Sequence, residues 1–150
     1  MKQPLGLISL IIFVIGVSVV ISAQDPQQGG RPLTTTLTGA AEVPGPGDTD
    51  GTGTASITLN HGQGEVCYEL TVDKIAAANA AHIHVGAVDK AGPPVMNLTP
   101  PTNGSSKGCA PLEKDKIKDI MQNPANYYVN IHNADFPDGA VRGQLGKKTE

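Results

Sequence analysis

Residues 65–72 read EVCYELTV. Val66, Tyr68, Leu70 and Val72 fall on one side of an extended chain, and Cys67, Glu69 and Thr71 on the other, because successive side chains of a strand point to opposite faces. This alternation predicts a half-buried β-strand. Just before it, HGQG (61–64) is a turn with two glycines and TASITLN (54–60) is a second β-type run, so the three segments predict a hairpin. His61, in that turn, reads as a solvated turn residue.

The pattern continues outward in both directions. TTTLTG (34–39), AHIHVGA (81–87), YYVNIHN (127–133) and GAVRGQL (139–145) are further short β-type runs separated by turn residues. CAPLEKDKIKDIMQNP (109–124) is the single helical candidate: Leu112, Ile117, Ile120 and Met121 recur at roughly helical spacing, and Asn123-Pro124 is a stop. PGPGDTDGTG (44–53) and KAGPPVMNLTPPTNGSSKG (90–108) read as loops by composition. The expected fold is all-β, an antiparallel β-sandwich or a Greek-key-like barrel with one short helix.

The chain opens Met1, Lys2, Gln3 and carries only apolar residues, Gly and Ser from Leu5 to Ile21. Small residues, Ser22 and Ala23, follow. This predicts a secretory signal over residues 1–23, with an uncleaved membrane anchor as the alternative. Residues 24–33 (QDPQQGGRPL) suit a flexible linker, which leaves residues 34–146 as one domain. The expected location is extracytoplasmic: secreted, periplasmic or at the cell surface. With 11 basic and 14 acidic residues and no basic cluster, the chain lacks the charge that nucleic acid or an anionic membrane rewards. Any membrane contact is expected only through an uncleaved N-terminal segment. An exported chain with two cysteines, Cys67 and Cys109, is expected to bond them to each other.

Parity then selects a candidate site. In AHIHVG, Ala81, Ile83 and Val85 must take the core side, so His82 and His84 share the other face. By the same test Val129 and Ile131 face the core while Tyr128, Asn130 and His132 face away. Val141 and Leu145 point inward, and Arg142 points outward. NADFPDG (133–139) is short enough to make the last two strands antiparallel neighbours. If the His132 strand lies near the His82/His84 strand, three imidazoles converge with a guanidinium beside them. Imidazole suits copper, zinc, iron or nickel, and three nitrogens leave an open position for a small ligand. Glu42, Asp135 and Asp138 read as turn or capping residues.

LTGAAEVPGPG (37–47), AAHIHVGA (80–87) and NPANYYVNIHNADFPDGAVRGQL (123–145) together resemble the CHRD module, named from the repeats of chordin and also found singly in exported microbial proteins. The last segment is the most specific, with Pro124, Tyr128, Asn130, His132, Phe136, Pro137, Gly139, Arg142 and Gly143 in place. The resemblance covers about residues 34–146. It implies an antiparallel β-domain outside the cytoplasm. In chordin such modules belong to a growth-factor-binding protein.

A looser similarity is to the active site of copper-zinc superoxide dismutases, which carry an H-x-H strand, a later copper-binding His and an Arg that guides the superoxide anion. It implies His82, His84 and His132 as copper ligands and Arg142 as the catalytic anion guide; in the mechanism expected here, Asn130 or Tyr128 serves as a supporting donor. The sequence departs from that pattern. No His occurs between His84 and His132, so a bridging imidazole and a zinc group are missing, and the segment from His132 to Arg142 is shorter. The implied site is copper-only, with water, His61 or a carboxylate as a fourth ligand. Two classes follow: a metal-binding domain with superoxide dismutase-like redox activity toward a small anion, or a non-enzymatic protein- or glycan-binding module.

Overall fold

The computed structural model describes residues 32–146. The expected signal over 1–23 and most of the expected linker lie outside the described residues. Eight strands form one antiparallel sheet: β1 Pro32–Thr38, β2 Thr52–Asn60, β3 Glu65–Asp73, β4 Ala78–Val85, β5 Pro94–Leu98, β6 Ser105–Pro111, β7 Tyr127–Asn133 and β8 Val141–Gln144. Their order is β5-β4-β7-β8-β1-β2-β3-β6. The two edge strands, β5 and β6, are consecutive in the chain, and the sheet curls until they meet. Their seam is tied by side chains: the Tyr68 hydroxyl accepts from the Thr99 backbone N–H at 2.9 Å, and Ser106 Oγ donates to the Thr99 carbonyl at 2.7 Å. The result is an all-β, nearly closed barrel. Its β3–β4 and β6–β7 connections pass over intervening strands, in Greek-key manner.

The hairpin read from residues 54–72 is present, with Ile57 opposite Tyr68 and Ala55 opposite Leu70. Its inward residues meet Leu37, Ile83, Val129, Ile131 and Val141, all at most 1 % exposed, to fill the barrel. Cys67 and Cys109 face each other across β3 and β6 and are bonded.

Three expectations need correction. Residues 90–108 are not all loop, because β5 and the start of β6 lie there. Pro94 opens β5, the position where a strand tolerates proline, and Met96 and Leu98 turn inward. β6 (SSKGCAP) has too little hydrophobic alternation to be read from sequence, and it is a strand because β3 pairs with it along seven residues. The helix, α1, spans only Lys114–Gln122, since Cys109–Pro111 belong to β6. Ile117 and Ile120 are fully buried, but Met121 is 46 % exposed and is no part of the helix's buried face. Finally, β1 starts at Pro32, inside the expected linker, because Leu33 pairs with Ile57 and enters the core.

Candidate metal centre

β7 lies between β4 and β8, and its register sets three rows across the outer face of the sheet. Ala80 pairs with His132, His82 with Asn130 and in turn Arg142, and His84 with Tyr128 and in turn Gln144. The parity reading therefore holds for direction: Ile83, Val129, Ile131 and Val141 enter the core while the polar set points away. The expected outward-facing patch does not hold. All of β7 is buried, His84 and His132 are each 8 % exposed, and Arg142 is 1 % exposed. Two loops, residues 39–51 and 86–93, fold over this face, which is why parity alone misjudged its exposure. Of the three histidines only His82 is partly open to solvent.

Each histidine is held by local chain geometry. Asn133 Oδ1 accepts the N–H groups of Asp135 and Phe136, at 3.1 and 2.8 Å, and turns the chain back. That turn brings the Pro137 carbonyl 3.0 Å from His132 Nδ1. On the other strand, the 86–92 loop returns so that the Gly92 carbonyl lies 2.8 Å from His84 Nδ1. A carbonyl only accepts, so both Nδ1 atoms carry the proton and both Nε2 atoms present a lone pair. His84 Nε2 is buried and has no hydrogen-bond partner. His132 Nε2 lies 3.2 Å from His82 Nδ1.

These are the features a metal site requires. Two ligand nitrogens at about 2.0–2.1 Å from one tetrahedral ion stand about 3.3 Å apart, close to the His82–His132 separation. One ring nitrogen from each of His82, His84 and His132 lies within 4.8 Å of the others. The carbonyl bonds that fix His84 and His132 are the orienting contacts that metal-bound imidazoles keep. Burial lowers the pKa of all three histidines below the usual value, and for His82 the neighbouring His132 and His84 lower it further. They are thus neutral, the form that ligates.

Tyr128 stacks on His84, with centroids 4.9 Å apart and planes at 12°. The Arg142 guanidinium lies 3.5 Å from the Tyr128 ring centroid, and its Nη2 donates to the Ala87 carbonyl at 2.8 Å and to Gln144 Oε1 at 3.2 Å. Arg142 Nη1 has no partner. Arg142 therefore lies beneath the 86–92 loop and not at the surface. Asn130 Nδ2 donates to Glu42 Oε2 at 3.3 Å, which places Asn130 between the histidines and an acid.

Glu42 is the residue that sequence reading missed. Its sequence setting reads as a turn or cap, yet it is 6 % exposed, and burial raises its pKa to about 7 against the lowering influence of Arg142 and Asn130. Gly139, at φ +147°, leaves room for its carboxyl group, since a Cβ there would collide with it. Its neighbours Ala40, Ala41 and Val43 are themselves exposed or half-buried, so no local pattern signals its burial. His61 stands elsewhere, lining a surface cleft with Asp115, Lys118 and Met121. Asp135 and Asp138 are exposed. A second group of donor atoms, Glu65 with Cys67 and Cys109, is excluded as a metal site by the disulfide.

A family model described as the CHRD domain matches residues 33–145. The chain belongs to the CHRD domain family. No curated protein and no solved structure matches it. CHRD domains are extracellular, and the Cys67–Cys109 bond fits that setting. No helix among the described residues is long and apolar enough to cross a membrane.

The CHRD-matched segment contains a glycine on which the centre depends. A Cβ at Gly92 would collide with the Val85 carbonyl oxygen, so the 86–92 loop closes only with glycine there. Gly92→Ala is expected to cost about 2 kcal/mol, the scale of a steric clash in an ordered loop. It should also free the Nδ1 proton of His84. Thermal unfolding and the chemical shifts of His84 measure the two effects.

Proposed function

We propose that this CHRD domain binds one transition-metal ion through His82 Nδ1, His84 Nε2 and His132 Nε2. The observation that carries the reading is the buried, unpartnered Nε2 of His84, aimed away from its carbonyl-bound Nδ1 and grouped with the other two rings. A buried acceptor without a donor costs about 1–3 kcal/mol, and an ion removes that cost. In the metal-free protein the His82 Nδ1 proton points at His132 Nε2. Binding moves that proton to His82 Nε2, on the open side, where water accepts it.

The finer reading is copper, with a small anion such as superoxide as the ligand. A donor set of imidazoles alone suits copper, which also heads the affinity order of the divalent first-row metals. Two of the three rings are covered, so only a small molecule reaches the centre. Arg142 supplies a permanent positive charge near His84. Bound copper would supply one-electron exchange; the chain's own residues hold the ring nitrogens in place and limit access.

Copper titration followed by EPR tests the reading. A one-to-one signal with nitrogen hyperfine structure is expected. His84→Ala should weaken binding roughly 100-fold, the upper range for loss of a metal-site contact. A spectrum unchanged by this substitution or by His82→Ala would overturn the site. Copper-loaded protein that removes superoxide no faster than buffer would end the redox part alone. Protein that purifies without metal and shows no thermal shift with Cu(II) would be a non-enzymatic binding or structural module.

A further inference from the structure

A divalent cation on three neutral imidazoles would place two positive charges under the loops that already cover Arg142. Buried charge without compensation is among the most expensive arrangements in a protein. None of the three ligands is an anion. Among the described residues, Glu42 is the single buried carboxyl group. It reaches the centre through Asn130, whose Nδ2 it accepts, and Asn130 pairs across the sheet with both His82 and Arg142.

We propose that Glu42, the buried carboxyl group joined to the histidine rows through Asn130, is the counter-charge of the three-histidine centre and gives up a proton when a divalent cation enters. The inference rests on the metal reading above. The O–H bond of the carboxyl breaks, the proton passes to buffer, and the carboxylate remains facing Asn130 and Arg142. Glu42 Oε1 and Arg142 Nη1 are both buried without hydrogen-bond partners, so the acid and the cation each keep an unused polar atom in the covered region.

The groups around Glu42 are Arg142 from β8, the histidines from β4 and β7, and Asp48 and Asp138 on the loops beside it. Arg142 favours the carboxylate, yet burial outweighs it and lifts the pKa of the acid to about 7. Asp48 is half-buried and Asp138 exposed, and neither is among the groups that shift Glu42. A proton released by wild type and not by Glu42→Gln is assigned to Glu42.

The experiment is calorimetric titration of the protein with Zn(II) near pH 6.5, in buffers of different ionisation enthalpy. Wild type is expected to release roughly one proton per ion, and Glu42→Gln close to none, with affinity reduced about tenfold. Infrared difference spectra of wild type give a readout that needs no variant: the stretch of a protonated carboxyl disappears as zinc is added. Equal proton release by wild type and Glu42→Gln, or an unchanged carboxyl band, overturns the counter-charge while leaving the metal site intact. Absence of any zinc binding by wild type overturns the metal site, and the counter-charge with it.

Discussion

In metal-free protein, Glu42→Gln is expected to gain stability over wild type as pH rises, by about 3 kcal/mol between pH 4.5 and pH 8. The folded-state pKa of Glu42 is raised from 4.5 to about 7 by burial. A group raised in this way contributes stability that is fully present below its unfolded value and is lost as pH climbs through its folded value. Each unit corresponds to about 1.36 kcal/mol, which gives the stated size. Glutamine keeps the shape and the acceptor for Asn130 but never ionises. His82, His84 and His132 have the opposite sign. Their lowered values mean stability that is complete above the ordinary histidine range and lost as pH falls through the folded values. In wild type the two effects therefore oppose each other, whereas the variant keeps the histidine effect alone. The variant should show a clear rise with pH. Urea unfolding across that range, with a chelator present, measures both curves; parallel curves would show that the carboxyl is solvated.

Replacing Cys67 and Cys109 together with serine is expected to destabilise the domain by about 4 kcal/mol, and to lower the melting temperature by roughly 15 °C. The bond closes a loop across a sequence separation of 42, and in the chain-entropy model most of its effect is on the unfolded chain. It also pins β6, the strand with the weakest hydrophobic pattern, to β3. β6 carries one half of the barrel seam, through Ser106 to Thr99. Loss of the bond should therefore raise hydrogen exchange along β6 before it disturbs β4 and β7. Differential scanning calorimetry reads the first effect. Residue-resolved exchange reads the second, and exchange that rises equally in all strands would show that the bond acts on the unfolded state alone.

The histidine cluster was legible in part because period-two alternation is a local property. His82 and His84 had to leave the core face once Ile83 took it, and the same held for His132 beside Ile131 and for Arg142 beside Val141. The resemblance of residues 123–145 to the CHRD module added family and setting. Glu42 was not legible, since its burial comes from a loop folding over a face to which it is not adjacent in sequence. β5 and β6 were missed for a related reason: edge strands of proline, serine and glycine owe their conformation to the ladder partner and not to their own pattern.

By itself, then, the sequence determined which side of each strand a residue takes, the hairpin at 54–72, the helix stop at Asn123-Pro124 and the pair of cysteines. All of these follow from neighbours within a few residues, where backbone geometry leaves little choice. Only the tertiary structure decided that β7 runs beside β4, that loops cover the resulting histidine cluster, and that an acid 88 residues from Asn130 lies against it. Strand order and loop closure depend on how the whole apolar surface is best buried at once, and that balance is not written in any one segment.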